Sequence, residues 1–364
     1  MMKSVDEILK NLVELKGSDL YLIPGNYPTI RIDDKMLSVE GCSKLTSDET
    51  NTMIKHILSP KQLESFENTK ECNIAYSVPK MGRFRVNIFV QRSTPAIVFR
   101  RVSTEIPMVE ELGLPAVLKD FSEEKRGLIL VTGATGTGKS TTLAAMLGHR
   151  NSTKEGHIIT IEDPLEFLHA SKKSIVSQRE VVIDTESYRE ALKNALRQAP
   201  DVILIGEMRD LESVEMAINF AETGHLVMST LHSTNAYQSL QRVMQFFPSE
   251  AHKGVQYQLS LNLKAIISQR LIQKQDKSGR VVACEIMVVS QRIRDLIAEG
   301  NFGGIKDVMV TTDYQGMQTF DEHIYRLWKE KVISEEEAII NSDKPNDLKL
   351  RIKGVSTASI RVDR

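Results

Sequence analysis

The chain has 364 residues, a formal net charge of -1, 26% charged residues and three cysteines. That length suits about two globular domains, and the near-neutral total gives no global basic field pointing to nucleic acid. Cys42, Cys72 and Cys284 are scattered with no C-x-x-C pair, which argues against a zinc site or disulfide framework and suits a reducing cytoplasm.

The N-terminus predicts a helix, because Val5, Ile8, Leu9, Leu12 and Val13 recur at helical spacing between charges. It does not read as a signal peptide. No apolar run approaches the ~18 residues of a membrane span, so no direct membrane insertion is expected. "DLYLI" and "PTIRI" read as strands split by "PGNYP". "TSDETNTMIKHIL" reads as a helix capped by Thr46 or Ser47. "NIAYSV", "GRFRVNIFVQRS" and "AIVFRRVS" then read as strands. The middle one places Phe84, Val86, Ile88 and Val90 on one face and Arg83, Arg85 and Asn87 on the other.

These elements predict a small α+β domain over 1–103. "TEIPMVEELGLP" (104–115) reads as a linker. From Gly127 the texture changes to apolar strands alternating with helices: "GLILVTG", "HIITIED", "DVILIGE" and "LVMSTLH". Strands apolar on both faces suit the centre of a sheet covered by helices. Beyond about Ala251 the chain reads as mainly helical, apart from "VVACEIMVV". The expected α/β domain runs over 116–354, and 355–364 reads as a tail.

"GATGTGKS" (Gly133, Ala134, Thr135, Gly136, Thr137, Gly138, Lys139, Ser140) matches G-x-x-x-x-G-K-[ST]. An apolar strand precedes it and a helical segment starting at Ser140 and Thr141 follows, which is the setting a phosphate-binding loop requires. Glycines let backbone N–H groups turn toward phosphate oxygens, and the helix N-terminus adds its positive end. Lys139 is expected at the β- and γ-phosphates and Ser140 on Mg²⁺. ATP with Mg²⁺ is therefore the expected substrate and ion.

"DVILIGEMRD" ends a strand at Glu207, and ligands gather at such carboxyl ends. Glu207 is placed to act on Mg²⁺ through water or to orient the nucleophile. "TIEDPLEFLH" adds Glu162, Asp163 and Glu166 after another strand. One of the three could be a general base, and spacing alone does not choose among them. In "TGHLVMSTLHST", His225 and His232 flank one strand. Seven residues span roughly 23 Å at ~3.3 Å each, so the two cannot share an ion within one protomer. His232 falls at the nucleotide end, as a γ-phosphate contact or sensor; the residues alone give His225 no clear role.

Together "GATGTGKSTTLAAM", "HIITIEDPLEFLH", "APDVILIGEMRD" and "TGHLVMSTLHSTNA", with "GSDLYL" and "GRFRVNIF", resemble the secretion-type ATPases, specifically the type IV pilus retraction motors of the PilT/PilU group. The resemblance runs to about Gly354. It implies a PAS-like N-terminal domain, a RecA-like ATPase core with a helical C-terminal region, a ring of six protomers, and ATP hydrolysis in the cytoplasm at the base of a pilus machine. It implies Glu166 as catalytic base, Glu207 as Walker-B acid, functional roles for both His225 and His232, and arginines supplied to the nucleotide by the N-terminal domain. Arg85 and Arg100 match these. A loose phosphoryl-transfer transition state spreads charge that a guanidinium stabilises.

Ala134 stands where the main retraction motor usually has proline, and "SQRIRDLIAEG" only partly resembles its A-I-R-N-L-I motif. "GMQTFDEHIYRLW" and "NDLKLRIKG" are more similar to the accessory branch of the group. That branch implies a PilT-type paralogue and an inner-membrane platform protein as partners. Assembly and type II secretion ATPases usually carry a four-cysteine zinc insert, which has no counterpart here.

Overall fold

The computed structural model describes residues 4–32, 35–311 and 314–354; the tail read over 355–364 lies outside them. The chain folds as two units. One holds residues up to Glu105 together with Glu166–Leu168, and the other holds Ile106–Leu165 and the chain from His169 onward.

The first unit is an antiparallel sheet with helices. Its strands are β1 (Asp19–Leu22), β2 (Thr29–Ile32), β3 (Lys35–Ser38), β4 (Glu71–Val78), β5 (Gly82–Gln91) and β6 (Thr94–Arg101), in the order β3-β2-β1-β6-β5-β4. The helix Val5–Glu14 starts at a capping box between Ser4 and Glu7, in which each side chain satisfies an amide that the helix leaves open. The next helix, Ser47–Ile57, is capped by Thr46 in the same way, resolving the choice between Thr46 and Ser47. Alternation along β5 buries Phe84, Val86 and Ile88 with Ile8, Leu9 and Leu12 in one core, and Val90 is exposed. The helix Pro60–Thr69 and strand β3 have no counterpart in the sequence reading. β3 is exposed along its whole length, so it lacks the apolar alternation that marks a strand.

The second unit is built on β7 (Gly127–Thr132), β8 (Gly156–Glu162), β9 (Ser174–Glu180), β10 (Val202–Ile205), β11 (Leu226–Leu231), β12 (Leu263–Gln273) and β13 (Arg280–Val288). Their order is β13-β12-β7-β11-β10-β8-β9. All neighbours are parallel except β12 and β13. Alternate residues feed two cores. Leu128, Leu130, Ile203, Ile205 and Ile266 enter one, while Ile129, Val131, Val202, Leu204 and Ile267 enter the other. That two-sided burial is why these strands show no polar alternation. Val109 and Leu114, within the stretch read as linker, are also buried in the second core.

Beyond Ala251 the described chain is mainly helical, as expected, but β12 joins β13 as a second strand there. "LKAIISQRLIQ" is a strand pairing in parallel with β7. A buried run with apolar residues on both faces cannot be told from a buried helix by periodicity. Among the described residues no helix is long and apolar enough to cross a membrane.

Candidate active site

The phosphate loop lies between β7 and the helix Lys139–Thr153. Gly133, Gly136 and Gly138 have φ of 153°, 79° and 86°, a region that L side chains resist. Their surroundings differ. A Cβ on Gly133 would lie 2.5 Å from Thr137 Oγ1 and 2.8 Å from the Gln269 carbonyl, so this glycine allows a close backbone approach. A Cβ on Gly136 or Gly138 would meet nothing within 4 Å, so at these two positions the backbone conformation rather than space favours glycine. Lys139 is 9% exposed, and its Nζ donates to the carbonyls of Gly133 and Ala134, each at 3.0 Å. Thr137 Oγ1 also donates to Ala134 O, at 2.9 Å.

Gln269, on β12, lies against the root of this loop through its backbone carbonyl, close to Gly133. Its Nε2 donates to Thr142 Oγ1 on the loop's helix at 2.7 Å, buried on both sides. The sequence reading missed Gln269, and the only signal was the strand it belongs to.

Parallel pairing sets three carboxyl ends beside one another. Thr132 is in register with Leu231, and Ser229 with Ile205. The loop from Gly133, His232 and Gly206–Glu207 therefore leave adjacent strands on the same edge. Glu162 and Asp163 leave β8, the next strand after β10.

The Glu207 carboxylate is held from two sides. Arg209 Nε donates to one oxygen at 2.7 Å, and His232 Nε2 lies 3.0 Å from the other. A further Arg209 nitrogen lies 3.6 Å from Asp163 Oδ2, bridging the ends of β8 and β10. The hydroxyl of Tyr188 would lie 3.1 Å from a Cβ on Gly206. Burial, then the charges of Asp163, Glu162 and Glu207, push its phenol well above the ordinary range, with Arg209 opposing. Tyr188 is therefore a neutral phenol beside the acids. Neither Arg209 nor Tyr188 was singled out from sequence, although Arg209 stands two residues after Glu207.

His225 is elsewhere. It immediately precedes β11, whereas His232 immediately follows it. Its Nδ1 lies 3.1 Å from the Phe220 carbonyl and its ring packs edge-on to Phe220. Its carbonyl accepts from Gly127 N at 3.0 Å. This closes the end of the helix Leu211–Glu222 against the start of β7, away from the Glu207 cluster.

The first unit carries the remaining candidates. Arg85 and Arg100 are direct cross-strand partners on β5 and β6, and Arg100 faces Asp19 on β1. Like charges set opposite one another repel. Asp19, itself 3% exposed, pairs with Arg100 Nε at 2.8 Å and accepts from Ser18 Oγ at 2.9 Å. Glu166 is exposed and lies in the segment of this unit where Leu168 N donates to Ser103 O at 2.8 Å. Among the described residues no group of three or more His, Cys, Asp or Glu is placed to hold a metal ion.

The family model "Type II/IV secretion system protein" matches residues 1–338. The chain is 45% identical over 348 residues to the type IV pilus ATPase PilU of Pseudomonas aeruginosa, covering 96% of this chain and 91% of the relative. It is 44% identical over 334 residues to PilT, the type IV pilus retraction ATPase of the same organism, covering 92% and 96%. A crystal structure of the pilus retraction motor PilT with bound ADP superposes with a TM-score of 0.87 at 41% identity, covering 95% of this chain and 99% of that one. The chain belongs to the Type II/IV secretion system protein family and is a PilT/PilU-like ATPase within it.

Proposed function

We propose that this chain hydrolyses ATP to power or assist retraction of a type IV pilus, as an accessory motor acting with a PilT-type paralogue. The observation that carries the ATPase half is the convergence of a phosphate loop, a doubly held glutamate and a histidine at three neighbouring strand ends. The similarity to PilU and PilT supports the pilus half. The C-terminal stretches "GMQTFDEHIYRLW" and "NDLKLRIKG" favour the accessory role.

In this reading the backbone from Gly133 to Thr141 cradles the phosphates of ATP, and Lys139 leaves its two carbonyls for the β- and γ-phosphate oxygens. Ser140, with Glu207 through water and Glu162 and Asp163 nearby, would hold Mg²⁺; hydroxyl and carboxylate oxygens suit this hard cation. When bound, the ion neutralises phosphate charge. Glu166 takes the proton of the attacking water. Glu207, fixed by Arg209 and His232, orients that water, and His232 follows the state of the γ-phosphate. His225, at the far end of β11, couples the strand to neighbouring structure. The assembly is a homo-hexamer in the cytoplasm, joined to the inner membrane through a platform protein.

Arg85 and Arg100 act on the transition state rather than on bound ATP. Each change to Ala is expected to lower turnover about tenfold or more with nucleotide affinity nearly unchanged. Phosphate release alongside fluorescent-nucleotide titration measures this; parallel loss of both would count against the role.

The accessory assignment is tested by pilus retraction in cells lacking this gene, its paralogue or both. Loss of retraction without the paralogue, despite this protein, is expected. Retraction driven by this protein alone would overturn it.

A further inference from the structure

Glu285 lies on β13, the antiparallel edge strand, yet it is 5% exposed. Its Oε1 accepts from the backbone N of Ala236 at 2.8 Å. Ala236 opens the helix Ala236–Met244, four residues after His232. A helix leaves its first amides without partners and favours negative charge there. Asn235 serves one of them, accepting from Gln238 N at 3.0 Å, and Glu285 serves another from a distant strand.

Glu285 is also the end of a polar row. In the register of the sheet, Thr132 faces Ser268 and Ser268 faces Glu285, so the three project from one face. Thr132 is the last residue of β7 before the phosphate loop, and its Oγ1 lies 2.9 Å from Ser268 Oγ. Ser239, on the helix Ala236–Met244, reaches Thr132 Oγ1 at 3.3 Å, Ser233 Oγ at 3.0 Å and the Asn235 carbonyl at 2.7 Å. The loop 232–235 is therefore tied to the root of the phosphate loop on one side and to Glu285 on the other.

We propose that Glu285 is a positioning residue for ATP hydrolysis, fixing through Ala236 the loop that presents His232 to Glu207. This rests on the ATPase reading above. The charge, rather than the shape, is the informative feature. Glutamine could accept the same amide hydrogen bond without an ion inside the protein, where an ion is costly. Burial pushes the Glu285 carboxyl up to about 7, with the Ala236 amide opposing, Asp343 raising it further, and Lys306 and Arg270 lowering it. Its pKa is raised by folding, so protonation favours the fold at low pH. That advantage is lost as pH rises through about 7. Near pH 8 the native protein carries the charge at a cost to stability.

A structural role and a positioning role then predict opposite results for Glu285→Gln. At pH 8 we expect a higher Tm and a kcat lower by about fivefold, with KM for ATP within about twofold. At pH 5.5 the Tm gain should be smaller, and it should disappear only as the pH falls below the ordinary glutamate range, where the carboxyl is protonated in folded and unfolded chains alike. An unchanged kcat in folded Glu285→Gln at pH 8, or kcat and Tm falling together, would overturn the proposal. If Glu285→Gln does not fold, Ser239→Ala opens the same row from the helix side and should lower kcat without raising KM; an unaltered kcat again overturns it. Amide hydrogen exchange at Ala236 needs no turnover. It should quicken in Glu285→Gln even if the wild-type chain proved inactive, a result that would strike the ATPase reading instead.

Discussion

Lys139→Ala is expected to fold and to lose ATP turnover by on the order of 10³-fold. The side chain is almost fully buried, and its ammonium is held by the carbonyls of Gly133 and Ala134 at 3.0 Å. Removing it leaves the Ala134 carbonyl to water, because Ala134 is exposed, and the buried Gly133 carbonyl without this donor. The stability loss should therefore be about 1–3 kcal/mol. The functional loss is larger, because a fixed positive charge beside the β- and γ-phosphates stabilises charge that grows in the transition state. Phosphate release with a thermal melt of the same sample measures both. A folded Lys139→Ala protein with near-native turnover would remove the phosphate loop from the mechanism.

Glu207→Gln is expected to retain ATP binding within a few-fold and to lose turnover by about 10³–10⁴-fold. The glutamine keeps the size of the side chain. It loses the anion that Arg209 at 2.7 Å and His232 at 3.0 Å both address. An amide offers one acceptor oxygen and one donor nitrogen, so it cannot accept from both partners. The water that Glu207 orients loses its partner together with the geometry of His232. Nucleotide titration beside single-turnover hydrolysis separates the two effects. Loss of binding with intact single-turnover chemistry would assign Glu207 to nucleotide holding instead.

The phosphate loop was legible because its motif carries its own context: an apolar strand before it and a helix after it. The separation of His225 from His232 was also legible, since strand rise alone forbids a shared ion. β12 was not legible, and with it went Gln269, Ser268 and their contacts with the loop. Its burial on both faces erases the period that identifies a strand. Arg209 and Asp19 were missed for a different reason. Each does its work by pairing, Arg209 with Glu207 and Asp163, and Asp19 with an arginine 81 residues away. Spacing along a chain does not report pairing across strands. Glu285 combines both difficulties: it sits within an apolar run and meets its partner 49 residues back.

The account joins a site at the ends of β7, β10 and β11 to pilus retraction. The most direct test is retraction measured in cells whose sole copy of this gene carries Glu207→Gln, with the PilT-type paralogue present and protein levels matched. The account predicts retraction no better than in cells lacking the gene. Retraction at the wild-type level, with the variant protein shown to be inactive in hydrolysis, would contradict it.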